Sequence, residues 1–138
     1  MRRVAIAGVL AMKPEVIVLD EPTAGLDPRG RKEIMELFYR LYKEQGLTMI
    51  LVTHSMEDAA RYANRIAIMY DGRCVLTGSP LEIFSDAEKL AKFRLEVPHI
   101  IQFQKRLEAR IGFTLPALCL TEEQLAESLA QAVKERER

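Results

Sequence analysis

The 138-residue sequence contains no tryptophan, only two cysteines and no surplus of charge of either sign. Twenty Lys and Arg residues balance twenty Asp and Glu residues. This balance argues against a protein that coats nucleic acid or an anionic membrane, because both tasks need a large uncompensated positive field. Cys74 and Cys119 lie far apart without the spacing of a zinc site, so we expect a reduced, intracellular protein.

Long hydrophobic runs are absent as well. The longest apolar stretch extends from Val4 to Met12, whereas a membrane span needs about 20 residues. Arg2 and Arg3 precede this stretch as they would in a signal peptide, but acidic residues follow it without a small-residue cleavage pattern. We therefore predict no membrane-spanning segment and assign the N-terminal stretch, over residues 1–12, to a helix of the fold.

Two short apolar runs indicate the strands of an α/β fold. Val16–Leu19 and Thr48–Thr53 are rich in β-branched residues, which predicts strands buried on both faces of a parallel sheet. Between them, Asp27 and Pro28 are typical of a helix start and Gly46 of a helix end. Strand, helix and strand in this order predict a right-handed parallel crossover.

The pair Asp71-Gly72 marks a change to antiparallel structure. It is favoured in two-residue hairpin turns, where both central residues need positive φ, and strand-like stretches at 65–70 and 73–77 flank it. Ser79-Pro80-Leu81-Glu82 then has the pattern of a capping box, which predicts that a helix begins there.

The sequence becomes charged and helical from about Asp86. Val97-Pro98 and residues 112–116 interrupt the helical pattern, and a final helix opening at Thr121 carries Leu125, Leu129 and Val133 on one face. We predict an α/β part over residues 1–86 and a helical appendage over residues 87–138.

Three polar side chains follow the two predicted parallel strands. Asp20 and Glu21 end the first strand and His54 ends the second, so all three should open on one edge of the sheet, where ligands of open α/β folds bind. Two adjacent carboxylates repel each other, and this repulsion costs stability unless a cation lies between them. The alternative to a ligand site is that Asp20 and Glu21 are simply two solvated carboxylates in a loop. A hydrolase using Ser55, His54 and Asp20 is disfavoured because no Gly-x-Ser-x-Gly elbow is present.

With these segments the sequence resembles the ATP-binding cassette (ABC) ATPases. The matching motifs are the Walker B segment Val16–Glu21, the D-loop Ala24–Asp27 and the switch histidine His54. Residues 65–72 and Gly78–Pro80 are typical of ABC domains. Softer matches, at residues 96–98, 115–116 and 120–123, resemble the C-terminal extension of the energy-coupling factor (ECF) ATPases and the similar cobalt/nickel importers.

The resemblance implies a partial P-loop NTPase fold whose intact form binds ATP and Mg²⁺. Asp20 would help hold Mg²⁺, Glu21 would be the general base, and His54 would contact the γ-phosphate. Asp27 would reach the nucleotide across the interface with a second ATPase subunit, which the appendage would help to hold. A transmembrane importer subunit would keep the protein at the cytoplasmic face of the membrane, powering uptake of a vitamin or transition-metal ion. No nucleic-acid partner is implied.

Several family motifs are missing from the 138 residues. None of the seven glycines is followed by lysine, so the Gly-x-x-x-x-Gly-Lys-Ser/Thr phosphate cradle is absent, as are the signature motif and the glutamine loop. Met1 is therefore either a true start or an internal methionine of a longer protein. The alternatives are a non-catalytic fragment or dimerisation module that binds no nucleotide, or an ABC ATPase of DNA repair or translation.

Overall fold

A computed structural model describes residues 2–136. These residues form two compact units, the first ending at His54 and the second beginning at Ser55. The first unit contains α1 (Arg2–Ala11), β1 (Val16–Asp20), α2 (Pro28–Gln45) and β2 (Thr48–Val52). The second contains α3 (Met56–Tyr62), β3 (Ile66–Tyr70), β4 (Arg73–Gly78), α4 (Pro80–Phe84), α5 (Ala87–Ala91), α6 (His99–Ile111) and α7 (Glu122–Arg136).

The helices of the first unit end close to the predicted residues. Helix α1 stops at Ala11, and its predicted first residue, Met1, lies outside the described residues. The Oδ1 atom of Asp27 accepts a hydrogen bond from the backbone N–H of Gly30 at 2.7 Å, which caps α2 as predicted. Gly46 ends this helix in the left-handed conformation, at φ 64°.

β1 and β2 pair in parallel, as predicted from the strand–helix–strand order. Their register runs from Val16 opposite Thr48 to Asp20 opposite Val52. The carboxyl ends of the two strands therefore lie side by side.

The prediction that both faces of this sheet are buried is wrong. Ile17 is 7% exposed, but the residues that point to the opposite face, Val16, Val18, Ile50 and Val52, are between 49% and 62% exposed. Successive side chains of a strand alternate between faces, so these four residues leave the second face of the sheet largely exposed. The β-branched run thus signals strand structure without signalling burial on both sides.

The second unit begins with α3 and the hairpin formed by β3 and β4. Asp71 and Gly72 occupy the turn at φ 49° and 70°, which confirms the predicted two-residue turn. The strands pair antiparallel as a second two-stranded sheet, with a bulge after Ile68. The Ser79 hydroxyl accepts the N–H of Glu82 while the Glu82 carboxylate accepts the N–H of Ser79, so the capping box at α4 is confirmed.

Short helix α5 and the long helices α6 and α7 form the rest of the second unit. Pro98 precedes α6, and Gly112 ends it at φ 76°, as the interruptions in the helical pattern predicted. On α7, Leu125 is buried and Leu129 is half-buried, whereas Val133 is 48% exposed, so only the first part of the apolar face is covered.

The core of the second unit joins the hairpin region to the C-terminal helices. Phe84, Leu90 and Ile101 are its most deeply buried members. The full buried cluster comprises Ala60, Ile68, Ile83, Phe84, Leu90, Val97 and Ile101. This cluster contains residues from both sides of position 86, so it does not separate an α/β part from a helical appendage there. The division into residues 1–86 and 87–138 remains a prediction. Among the described helices, none combines the length and the apolar character that a bilayer crossing requires.

Candidate functional site

Asp20 is the last residue of β1, at the carboxyl end of the parallel pair. Its side chain is on the same face as those of Val16 and Val18, and the residue is exposed. An exposed carboxylate at this edge of the sheet is accessible to a bound cation.

Glu21 continues the ladder beyond the end of β1 in an uncommon backbone conformation. Its N–H donates to the carbonyl oxygen of Val52 at 2.9 Å, and its own carbonyl accepts the N–H of Ala24 at 3.1 Å. The φ angle of Glu21 is 44°, in the left-handed region that costs a non-glycine residue about 1–2 kcal/mol. These hydrogen bonds hold the residue there and turn the chain out of the sheet.

The carboxylate of Glu21 contacts His54 through both the backbone and the ring. Oε1 accepts the backbone N–H of His54 at 3.0 Å and lies 2.8 Å from Nδ1 of the same residue. The Glu21 side chain is 33% exposed and the His54 side chain 87% exposed. Two residues that are 33 positions apart in sequence are thus joined at the carboxyl ends of β1 and β2.

This contact determines which ring nitrogen of His54 faces outward. An ionised carboxylate can only accept hydrogen bonds, so Nδ1 carries the proton that is donated to Glu21. Nε2 is then the nitrogen that remains for a ligand, and it can donate to a phosphate oxygen only when the ring is doubly protonated. The exposure of the ring leaves room for such a ligand.

Asp27 is held at the start of α2 by its hydrogen bond to Gly30. A Cβ atom at Gly30 would lie 2.8 Å from Asp27 Oδ1, so a larger residue there would force the Asp27 side chain to shift. Asp27 is exposed, so its carboxylate is accessible from outside the chain. Its predicted role, contact with a nucleotide held partly by a second subunit, remains a prediction.

The donor set near the strand ends suits magnesium better than a transition metal. Within residues 2–136, no three His, Cys, Asp or Glu side chains cluster as a ready-made metal site. Mg²⁺ commonly takes one or two carboxylates and completes its shell with water and substrate phosphates. Asp20, beside Glu21, fits that requirement.

The alternative of a serine hydrolase gains no support from Ser55. This residue is only 6% exposed, and its hydroxyl accepts the N–H of Asp58 at 3.1 Å to cap α3. A buried hydroxyl with a capping role is poorly placed to act as a nucleophile.

The chain is similar to ATP-binding proteins of energy-coupling factor transporters over nearly its whole length. Residues 1–57 match a family model described as "AAA domain, putative AbiEii toxin, Type IV TA system". The energy-coupling factor transporter ATP-binding protein EcfA2 of Geobacillus kaustophilus is 61% identical over 131 residues, and EcfA2 of Bacillus licheniformis is 57% identical over 135. These alignments cover 95% and 98% of this chain but 45% and 47% of the relatives, so the chain spans about half their length.

Solved structures of ATP-binding cassettes share the fold. The CbiO1 protein of Clostridium perfringens, part of the ABC transporter complex CbiONQ, superposes with a TM-score of 0.59 at 40% identity, covering 80% of this chain and 41% of that one. A dimeric cassette, MJ0796, in a post-hydrolysis state bound to ADP and Pi, gives a TM-score of 0.53 at 37% identity. That match covers 57% of this chain and 34% of the other.

Proposed function

Because this chain is homologous to about half of an ABC-type ATP-binding protein of the energy-coupling factor kind, we propose that it supplies the water-activating part of such an ATPase. The contact between Glu21 Oε1 and His54 carries the proposal. It places a carboxylate and an exposed imidazole together at the end of the parallel strands.

In the proposed reaction Glu21 is the general base. Its carboxylate accepts a proton from the water whose oxygen attacks the γ-phosphorus of ATP, and the bond from that phosphorus to the bridging oxygen breaks, releasing ADP and phosphate. The two contacts from His54 orient the carboxylate before the reaction. Nε2 of His54 would contact the γ-phosphate.

Asp20 and Asp27 have supporting roles in this proposal. Asp20 would hold Mg²⁺, which neutralises charge on the phosphates when it is bound. Asp27 would approach the nucleotide from the far side of a dimer interface. A second ATPase subunit is the proposed partner, and the dimeric form of MJ0796 supports that arrangement.

The biological role we propose is transport. The similarity to ATP-binding proteins of energy-coupling factor transporters favours a transport ATPase over one of DNA repair or translation. A transmembrane subunit would then hold the protein at the cytoplasmic membrane face, and the substrate would be a vitamin or a transition-metal ion. The similar proteins EcfA2 and CbiO1 do not distinguish between these two classes of substrate.

A chimera tests the catalytic proposal. This chain would replace the matching segment of the Geobacillus kaustophilus relative, and steady-state ATP hydrolysis and nucleotide binding would be measured. Glu21→Gln should reduce turnover by at least about 100-fold and leave ATP binding intact, since general-base catalysis contributes roughly 10²–10⁴-fold. Glu15→Gln is the matched control, because Glu15 immediately precedes β1 at its opposite end. Normal turnover in the Glu21 variant would refute the assignment.

The 138-residue chain alone should hydrolyse no ATP, because it contains no glycine-rich loop with a lysine to hold the phosphates. Turnover by the chain that disappears on Glu21→Gln would overturn this expectation. If the chimera is inactive while its parent is active, the chain is better described as a non-catalytic module.

A further inference from the structure

Helix α7 buries fewer side chains than its neighbour α6 in the second unit. Helix α6 buries Ile101 and Gln104, which are 0% and 3% exposed. Among the 15 residues of α7, all of which the structure describes, Leu125 alone is buried. An open groove of about 430 Å³ lies between the two helices, on the side that carries Phe103 and Leu129. Because helices in proteins are stabilised mainly by packing of an apolar face, α7 needs other contacts to stay in place.

Arg61 of α3 supplies such contacts at the start of α7. Its Nη2 lies 2.5 Å from Glu122 Oε2 and 3.2 Å from Glu123 Oε2, and its Nη1 lies 3.3 Å from Glu123 Oε1. We call these three residues the Arg61 cluster. The side chain of Arg61 is 36% exposed, so the cluster is less screened than a fully exposed ion pair. The cluster ties the first turn of α7 to α3.

A second arginine contact holds the far end of α7. The guanidinium carbon of Arg136 lies 4.2 Å from the centroid of the Phe113 ring. Phe113 directly follows Gly112, the residue that ends α6. A guanidinium group over an aromatic ring is attracted to the negative face of the ring. Both ends of α7 are therefore held by a charged side chain, and only the part around Leu125 is held by burial.

Helix α7 covers a small apolar cluster and a thiol. Leu115, Cys119 and Leu125 form this buried cluster. Cys119 is 3% exposed, and the side chain of Ser128 on α7 forms a hydrogen bond with its thiol. Burial raises the pKa of the Cys119 thiol, which leaves less of the reactive thiolate. Cys74, on β4, is exposed. The second unit thus contains one thiol that α7 protects and one that is open to solvent.

We propose that α7 is a latch, which the Arg61 cluster holds closed over Leu115 and Cys119 and which opens while the rest of the second unit stays folded. Opening uncovers an apolar surface and a free thiol. The main buried cluster around Phe84 contains no residue of α7 among those described, so it can persist when α7 moves away. This inference goes beyond the proposed function and does not depend on it.

The two native cysteines of the 138-residue chain measure the opening of the latch. The chain is labelled with N-ethylmaleimide, and mass spectrometry follows Cys74 and Cys119 separately. Cys119 should react at least about tenfold more slowly than Cys74, because only the open form exposes it. Arg61→Gln should speed the labelling of Cys119 about threefold to fivefold and leave Cys74 unchanged. Arg106→Gln, at an exposed arginine of α6, is the matched control and should change neither rate.

The carboxylates of the Arg61 cluster provide a second variant. Glu122→Gln combined with Glu123→Gln should also speed the labelling of Cys119. In the Arg61→Gln background the same pair of changes should have a much smaller effect, because the contact is already lost. This comparison separates the contact from the interaction of the two carboxylates with the helix dipole, which is the same in both backgrounds.

Leu90, on α5, shows whether the rest of the unit stays folded. It is 0% exposed and belongs to the main buried cluster, and its N–H donates to the carbonyl oxygen of Asp86 at 3.2 Å. Amide hydrogen exchange at Leu90 should be unchanged in Arg61→Gln and in the double glutamate variant.

Three results would overturn the proposal. Labelling of Cys119 as fast as that of Cys74 would show that α7 does not cover it. An unchanged Cys119 rate in the variants, or effects of the Arg61 and glutamate changes that simply multiply, would show that the Arg61 cluster does not hold α7. A parallel rise in exchange at Leu90 would show unfolding of the whole unit in place of a latch. Failure of ATP hydrolysis in the chimera would leave these measurements unaffected.

Discussion

Glu21 Oε1 and the backbone N–H of His54 are 3.0 Å apart, so a side chain beyond one parallel strand closes on the backbone beyond its neighbour. The backbone of Glu21 forms the matching contact, donating to Val52 at 2.9 Å. One residue thus links the two strand ends twice, through its backbone and through its side chain. The left-handed conformation of Glu21 accompanies this double link and has a measurable cost.

Glycine should be more stable than alanine at position 21. Both Glu21→Gly and Glu21→Ala remove the carboxylate, but only glycine adopts a φ of 44° without a steric penalty, so we expect Glu21→Gly to be more stable by about 1 kcal/mol. Urea unfolding followed by circular dichroism gives the difference. At Glu36, inside α2, the same pair of substitutions should show the opposite order, with glycine less stable by roughly 0.5–1 kcal/mol. If Glu21→Ala proves more stable than Glu21→Gly, the backbone of Glu21 is not strained in the folded protein.

The two faces of the parallel sheet should respond differently to truncation. Ile17→Ala removes a buried side chain and should cost about 2–4 kcal/mol, whereas Val18→Ala, at a residue that is 62% exposed, should cost less than about 1 kcal/mol. The free energies of unfolding of the two variants provide the comparison. Equal losses would mean that the face bearing Val18 is covered in solution.

Gln104 should contribute strongly to stability, because its side chain holds the segment that follows α6. It is 3% exposed; its Nε2 donates to the carbonyl of Ala117 at 2.9 Å, and its Oε1 accepts the N–H of Cys119 at 2.8 Å. Gln104→Ala leaves these groups unpaired and should cost about 2–4 kcal/mol, since each buried unsatisfied group costs about 1–3 kcal/mol.

The exposed Gln131 on α7 is the matched control for Gln104. Gln131→Ala should change the free energy of unfolding by less than about 0.5 kcal/mol. If thermal or urea unfolding places the two alanine variants at the same midpoint, the network around Gln104 contributes nothing.

Protonation of Glu82 in acid should destabilise the fold. The backbone N–H of Ser79 donates a hydrogen bond to the carboxylate of Glu82, and the Ser79 hydroxyl donates a second one. These bonds, the backbone one most strongly, hold the pKa of Glu82 below its ordinary value. A carboxyl group whose pKa is lower in the folded state stabilises the fold above its unfolded pKa, near 4.5, and this stabilisation is lost as the pH falls through the folded pKa. Glu82→Gln should therefore weaken the pH dependence of the unfolding midpoint below about pH 5. An identical pH profile for the two proteins would contradict the capping contribution.

Local sequence was sufficient to predict several structural details. The turn at Asp71-Gly72, the capping box at Ser79 and the limits of α2 each depend on φ preferences and on hydrogen bonds within about four residues. The structure confirms all three. The sequence also placed Glu21 and His54 at the ends of two parallel strands, because the carboxyl ends of such strands share an edge.

Only the tertiary structure decided which side chains meet. The register of β1 and β2 brings Glu21 onto His54, and the tertiary structure of the second unit pairs Arg61 on α3 with Glu122 and Glu123 on α7. The tertiary structure also decided which faces of the strands are buried. The apolar run of β1 is the same whether one face or both are covered, and its pattern cannot reveal which. Such contacts join residues dozens of positions apart, so they depend on how elements pack and not on the preferences of neighbouring residues.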